Sequence, residues 1–245
     1  MIKTLHNVKE FAGKVALVLG ASHGMGRAVA LELAMLGASV LAVGRTSGAL
    51  TELDDEVRKK TNDKNHIAII TADLADEKTI PLLFANILKR FGYLDMMVGA
   101  AARLGDLTPL AHAVEKDFDK TIRLNLIAYH RFIRYGEPLL RLAKNGRVVF
   151  LTSGVGKHPR AFWGGYSVSK AGLDAMVKIW AQELKKTNIT VNGINPSATR
   201  TAMRAQAMPG EDAAMLKTPN KVAKFLLLFL QDKNKTTGEI IDYQA

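Results

Sequence analysis

Val15–Ala16–Leu17–Val18–Leu19–Gly20–Ala21–Ser22–His23–Gly24–Met25–Gly26 is the stretch whose reading decides the fold. Five apolar residues read as a buried strand, and a glycine-punctuated turn with almost no side-chain bulk follows. Behind it, Arg27–Ala28–Val29–Ala30–Leu31–Glu32–Leu33–Ala34–Met35–Leu36 carries apolar residues at helical spacing. Gly37–Ala38 breaks that helix before a second strand, Ser39–Val40–Leu41–Ala42–Val43. Backbone N–H groups at such a helix start are unpaired, and the helix dipole adds positive charge. The natural guest is a pyrophosphate, and the βαβ unit is where a dinucleotide binds.

Outward from this unit, strand-like runs alternate with amphipathic segments. Further strands are expected at His66–Thr71, Leu94–Val98, Arg147–Leu151 and Thr190–Ile194, with a short last one at Glu239–Ile241. Helices are expected around Leu50–Lys60, Ile80–Phe91, Phe118–Ala143, Gly165–Lys186 and Asn220–Gln231. The fold class is α/β: a Rossmann-type, doubly wound parallel sheet of about seven strands with helices on both faces. No composition shift marks a linker, so residues 1–245 are expected to form one domain.

Composition narrows the function. With 245 residues, 48% apolar and 23% charged, the chain has the make-up of a globular enzyme. It has no cysteine, which excludes disulfides, thiolate zinc sites and cysteine nucleophiles; no metal site is expected. Met1–Ile2–Lys3–Thr4–Leu5–His6 lacks the apolar run of a signal peptide, and Phe225–Leu230 is far too short to span a membrane. The expectation is a cytoplasmic protein without a membrane partner. The net charge of +11 suits an anionic partner. Its lysines and arginines are spread along the chain without interleaved aromatics, so a nucleic-acid partner is not expected. A phosphorylated cofactor or an acidic carrier protein fits better.

The second strand ends Val43–Gly44–Arg45. A site for NAD would place a carboxylate there to accept the ribose hydroxyls, and Gly44 has none. Arg45 offers a planar fork suited to a 2′-phosphate, with His23 in the neighbouring turn. NADP(H) is therefore favoured over NAD(H).

Tyr166–Ser167–Val168–Ser169–Lys170 puts a phenol and an ammonium one helical turn apart on the same face. A free tyrosine titrates near pH 10, and a nearby cation favours its phenolate. Ser153 follows the strand Arg147–Leu151, where its hydroxyl can meet a substrate oxygen. Asn125 falls within a helical segment; buried there, it needs partners and can hold a water beside Lys170.

Gly20-x-x-x-Gly24-x-Gly26, Asp73, Asn125, Ser153, Tyr166, Lys170, Asn195–Pro196 and Thr201 occur in the order and spacing of the short-chain dehydrogenase/reductase family. The resemblance covers nearly the whole chain and is strongest to small bacterial reductases near the 3-oxoacyl-[acyl-carrier-protein] reductases. It implies that Tyr166 exchanges a proton with the substrate oxygen, which Ser153 holds. Lys170 would bind the nicotinamide ribose and lower the Tyr166 pKa, while Asn125 anchors a relay water. Cofactor contacts are implied at Gly20, Ser22, His23, Gly24, Met25, Gly26, Arg45, Asp73, Leu74, Ala100, Ala101, Ala102, Pro196, Ala198, Thr199 and Thr201, besides Tyr166 and Lys170. Asp73 would touch the adenine and Thr201 the carboxamide. The substrate would be a small-molecule or acyl-thioester carbonyl, with an acyl-carrier protein as a candidate partner and a homo-oligomer, dimer or tetramer, as the assembly.

The chain departs from the family at several positions. Gly99–Ala100–Ala101–Ala102 replaces the usual Asn-Asn-Ala-Gly, which should loosen the fourth strand by about 1 kcal/mol per lost hydrogen bond. Leu19 stands for a usual threonine and Ser197 for a usual glycine, and the tail through Ala245 lacks the frequent Asp-Gly-Gly. Thr201–Thr218, with Met203, Met208, Pro209 and Met215, is expected to form an adaptable apolar lid. Lys157, His158, Arg160, Arg131 and Arg134 are candidates for drawing an acidic carrier to the mouth. Two rivals stand beside this reading. Gly20-x-Ser22-x-Gly24 also matches a hydrolase nucleophile elbow, but that leaves Ser153, Tyr166 and Lys170 without a task. A non-catalytic dinucleotide binder is encouraged only by the altered Gly99–Ala102 segment.

Overall fold

The computed structural model describes residues 10–62 and 67–243. The opening Met1–His6, the start of the third strand at His66, and Gln244–Ala245 lie outside the described residues. Seven parallel strands are ordered β3-β2-β1-β4-β5-β6-β7. They are β1 (Val15–Leu19), β2 (Ser39–Gly44), β3 (Ile67–Thr71), β4 (Met96–Gly99), β5 (Arg147–Leu151), β6 (Thr190–Asn195) and β7 (Ile240–Asp242). β1 pairs with β2 from Val15↔Ser39 to Leu19↔Val43 and with β4 from Ala16↔Met96 to Leu19↔Gly99. Strand order reverses between β1 and β4, the switch point at which doubly wound sheets open a crevice.

Parallel strands covered on both faces read as continuous apolar runs, and β1, β4 and β5 are buried at every residue. One face is covered by α1 (Gly24–Met35), α2 (Ser47–Thr61) and α9 (Pro219–Leu227), with Val29, Leu33, Leu50, Leu53 and Leu226 in its core. The other is covered by α3 (Thr79–Phe91), α5 (Ala128–Leu142) and α7 (Gly164–Glu183), around Tyr129, Phe150 and Trp180. Those rings lie edge-to-face at 5.0 Å (Tyr129–Phe150) and stacked at 6.3 Å (Phe150–Trp180). No helix among the described residues is long and apolar enough to cross a membrane.

The expected helix over Phe118–Ala143 is in fact three pieces: α4 (Glu115–Ile122), a π-turn at Arg123–Ile127, and α5. Apolar periodicity does not register one inserted residue, so the bulge is silent in the sequence. It lies where Asn125 turns into the core. The Thr201–Thr218 segment folds as α8 (Ala202–Ala207) and a short 3₁₀ turn at Ala213–Met215; α6 (Gly154–Lys157) is a single turn after β5.

The altered segment after β4 is better held than the missing amides suggest. A Cβ on Gly99 would sit 2.6 Å from Tyr129 Cε1 and 2.7 Å from Phe150 Cδ1, so aromatic rings occupy the side-chain space. Tyr129 Oη donates to the Ala101 carbonyl at 2.8 Å, and Ala100 N–H donates to the Leu19 carbonyl at 2.8 Å.

Candidate active site

Two adjoining cavities open at the carboxyl ends of the strands. The smaller, about 240 Å³, is walled by the β1–α1 turn, the ends of β2 and β3, and the segment after β4. It brings together Gly20, Ser22, His23, Gly24, Met25, Gly26, Arg45, Asp73, Leu74, Ala100, Ala101, Ala102 and Thr201. The larger, about 330 Å³, collects Ser153, Tyr166, Pro196, Ala198, Thr199 and Thr201, with Met25, Thr201 and Met203 common to both. Asn125 and Lys170 line neither; both are buried behind the wall.

The smaller cavity is shaped by glycine. A Cβ on Gly26 would overlap the Gly20 carbonyl oxygen, so only glycine lets the turn close onto α1. His23 caps α1 with no side-chain hydrogen bond, which leaves the first-turn amides facing the cavity as donors. At Gly44 a Cβ would overlap Ser22 Oγ, so an acidic side chain at the end of β2 requires that hydroxyl to rotate away. Arg45 is exposed beside it. The carboxylate of Asp73 is occupied in its own turn, accepting from Ala75 N–H at 3.0 Å.

The larger cavity is positioned by β5, α6 and α7. Lys170 Nζ donates to the Leu151 carbonyl at 2.7 Å and lies 5.7 Å from the centroid of each of the Tyr166 and Tyr129 rings. Burial pulls the Lys170 ammonium down to about 8, opposed by the charge of Asp174 one turn further along α7. Burial pushes the Tyr166 phenol up to about 12, opposed by its hydrogen bond with Ser153. The sequence reading has Lys170 drawing the phenol down; in the fold, desolvation prevails, and the ammonium is held by Leu151.

Asn125 is fully engaged. Its Oδ1 accepts from Arg103 N–H at 2.9 Å, and its Nδ2 donates to the Arg103 carbonyl at 2.8 Å and to Ser169 Oγ at 3.1 Å. Ser169 Oγ in turn donates to the Tyr166 carbonyl at 2.7 Å. The amide thus ties the chain after β4 to the turn of α7 that carries Tyr166 and Lys170.

Sequence reasoning missed several residues here. Asp174 is buried, and its carboxylate accepts from the Thr152 hydroxyl; burial raises its pKa while that bond lowers it. Its position four after Lys170 was the available signal. Trp163 and Leu104 wall the larger cavity, and Arg204 in α8 makes a two-pronged ion pair with Glu211, both contacts at 2.6 Å. Ser197 holds the left-handed conformation of the glycine it replaces, at φ 54, with its N–H donating to Asn195 Oδ1 at 3.1 Å. Of the cations proposed for the mouth only Arg160 lines the cavity; Arg131 and Arg134 lie on α5, away from it.

The short chain dehydrogenase family model matches residues 14–212. Over 232 residues the chain is 32% identical to an uncharacterized oxidoreductase, YciK, of Escherichia coli strain K12, covering 94% of this chain and 92% of that one. It is 28% identical to the 3-oxoacyl-[acyl-carrier-protein] reductase FabG of Thermotoga maritima, with 94% and 95% covered. A short chain dehydrogenase of Escherichia coli CFT073, solved in complex with NADPH, superposes with a TM-score of 0.91 at 31% identity, covering 97% of this chain and 99% of that one. The chain belongs to the short-chain dehydrogenase/reductase family of oxidoreductases.

Proposed function

We propose that residues 1–245 act as one cytoplasmic domain that moves hydride between NADP(H) and a carbonyl or alcohol, with Tyr166 as general acid and base. The observation that carries this reading is the placement of Tyr166 and Ser153 in one cavity that meets the glycine-walled cavity at Thr201. The donors fit a phosphorylated dinucleotide. Gly20, Ser22, His23, Gly24, Met25 and Gly26 would hold its pyrophosphate against the α1 amides. Arg45 would take a 2′-phosphate, and the NADPH complex of the Escherichia coli relative supports the same preference. Asp73 and Leu74 would border the adenine, and Ala100, Ala101 and Ala102 the floor. Pro196, Ala198, Thr199 and Thr201 would flank the nicotinamide, with Tyr166 at its ribose; Lys170, held on the Leu151 carbonyl behind the wall, would reach that ribose by turning its Nζ toward the cavity.

When bound, the cofactor supplies or takes up hydride at the substrate carbon. Ser153 holds the substrate oxygen, and Tyr166 gives that oxygen its proton. A phenol held near 12 stays protonated at neutral pH, which suits the reductive direction. Lys170, mostly ammonium below about 8, stabilises negative charge as it forms on the phenol. Asn125 is a positioning residue, bracing α7 through Ser169.

A second substrate reading, a 3-oxoacyl thioester on an acyl-carrier protein, is favoured by the likeness to the Thermotoga maritima reductase. Exposed apolar residues on α5 and α7, Leu142 and Ile179, favour a homo-oligomer. Tyr166→Phe is expected to cut turnover by about a hundredfold or more while leaving NADPH affinity within about threefold. Oxidative turnover of the wild type should climb with pH above neutrality as the phenol ionises. Steady-state kinetics and fluorescence titration decide it: retained turnover in the variant sinks the assignment.

A further inference from the structure

The larger cavity has an uneven charge. Away from the hydroxyls and amide at the ends of β5 and β6, such as Ser153, Asn195 and Thr199, its walls are Leu104, Val155, Trp163, Met203 and Ala207. Two charged residues, Arg160 and Arg204, line it, and no carboxylate does. Arg204 is already answered, since Glu211 accepts from its Nε and its Nη2. Arg160 is exposed and makes no ion pair with any described residue. Its neighbour Lys157 differs, with Nζ 3.8 Å from Asp242.

The loop carrying Arg160 is built rather than slack. Trp163 N–H donates to the Arg160 carbonyl at 3.3 Å, and Thr108 N–H donates to the Phe162 carbonyl at 3.0 Å. Phe162 holds φ 73, a left-handed conformation that bulky side chains rarely adopt and that the Thr108–Trp163 bridge sustains. Strain of this kind fixes the chain beside the cavity and lowers the ordering cost of binding there.

We infer that the cavity selects a carbonyl substrate whose apolar body ends in a carboxylate, with Arg160 as the residue that receives it. The inference rests on the oxidoreductase reading for the reacting end and on Arg160 for the other. An unanswered guanidinium here discriminates sharply, because its planar fork matches a carboxylate and the other guanidinium in the wall, Arg204, is already taken by Glu211. The net charge of +11 draws such an anion toward the mouth.

The test compares aryl keto acids, with the spacer between carbonyl and carboxylate varied, against their methyl esters under NADPH. For the best spacer, kcat/KM should favour acid over ester by about ten- to a hundredfold, the worth of one charge-assisted pair. Arg160→Ala should bring that ratio to about one, and Arg160→Lys should keep part of it. Parity of acid and ester in the wild type at every spacer overturns the inference, as does a preference that survives Arg160→Ala. A preference only for the thioester carried on an acyl-carrier protein also overturns it. Calorimetry with the saturated acid on NADPH-loaded enzyme separates the two layers. Binding that Arg160→Ala removes, without turnover of any ketone, upholds the carboxylate site and refutes the reductase reading; no binding refutes the site.

Discussion

The two cavities that meet at Met25, Thr201 and Met203 are made of different material. The smaller is lined mostly by backbone turns and small side chains at the ends of β1, β2, β3 and β4, and α8 touches it only through its start at Thr201, Ala202 and Met203. The larger has one such wall, from β5 and α7, and faces it with α8, a six-residue helix with no buried residue. One half is therefore fixed by the core, and the other by a few side-chain contacts on an exposed segment. A fold that recognises a constant cofactor and a variable substrate divides in this way: rigidity where the ligand never changes, adjustable side chains where it does.

The largest expected effect tests the rigid half. Gly26→Ala pushes a methyl into the Gly20 carbonyl, a backbone atom that cannot swing aside. It should lower stability by about 3 kcal/mol and abolish NADPH binding, read by denaturant unfolding and fluorescence. Met203→Ala, on exposed α8 where the two cavities meet, should change stability by only about 0.5 kcal/mol. Equal losses from the two would erase the distinction.

Asn125→Ala comes next, because it strikes the seam between the halves. It leaves Arg103 N–H without its acceptor and removes the amide that braces α7 through Ser169. A loss of about 2 kcal/mol is expected, with kcat falling and NADPH affinity held. Asn125→Asp keeps an acceptor for Arg103 N–H but turns a buried carboxylate oxygen onto the Arg103 carbonyl, so it should cost at least as much stability as the alanine. If kcat stays at the wild-type level in both, Asn125 is structural alone.

How much of this was legible in the sequence follows the same division. Gly20, Gly24 and Gly26 announce their cavity because a turn that admits no Cβ at Gly20 and Gly26, and holds φ 57 at Gly24, has few other spellings. The strands announce themselves by unbroken apolar runs. Asn125 could not be placed from periodicity, since the π-turn that turns it inward leaves no compositional mark. Tyr129 was silent for a related reason: its ring fills the space over Gly99 from a distant helix, a contact no local pattern encodes. The phenol's upward shift was missed because charge spacing can be counted along a helix while desolvation cannot.

Arg45→Ala probes the exposed arginine that lines the rigid half. The ratio of NADPH to NADH affinity should fall about tenfold, roughly 1.4 kcal/mol, since a single charge-assisted contact is lost. Arg45→Asp should push the ratio further by repelling the 2′-phosphate. No change in either would move the selectivity to His23 and Ser22.

The smallest effect belongs to the clasp of the adjustable half. Arg204 and Glu211 are both partly exposed, so their ion pair is screened and adds little to global stability. What it does fix is the distance between α8 and the chain after it, and with that the set of Met203 and Ala207 over the cavity. Arg204 holds the Glu211 carboxyl below its ordinary pKa, so the clasp persists through the whole neutral range and opens only in acid. Glu211→Gln should raise KM for a neutral ketone by about threefold at low salt. Added salt should raise the wild-type KM toward the same value and leave the variant's flat, because only the wild type has a charge pair to screen. Parallel salt curves would show that α8 is seated by packing alone, and the larger cavity would then be as fixed as the smaller.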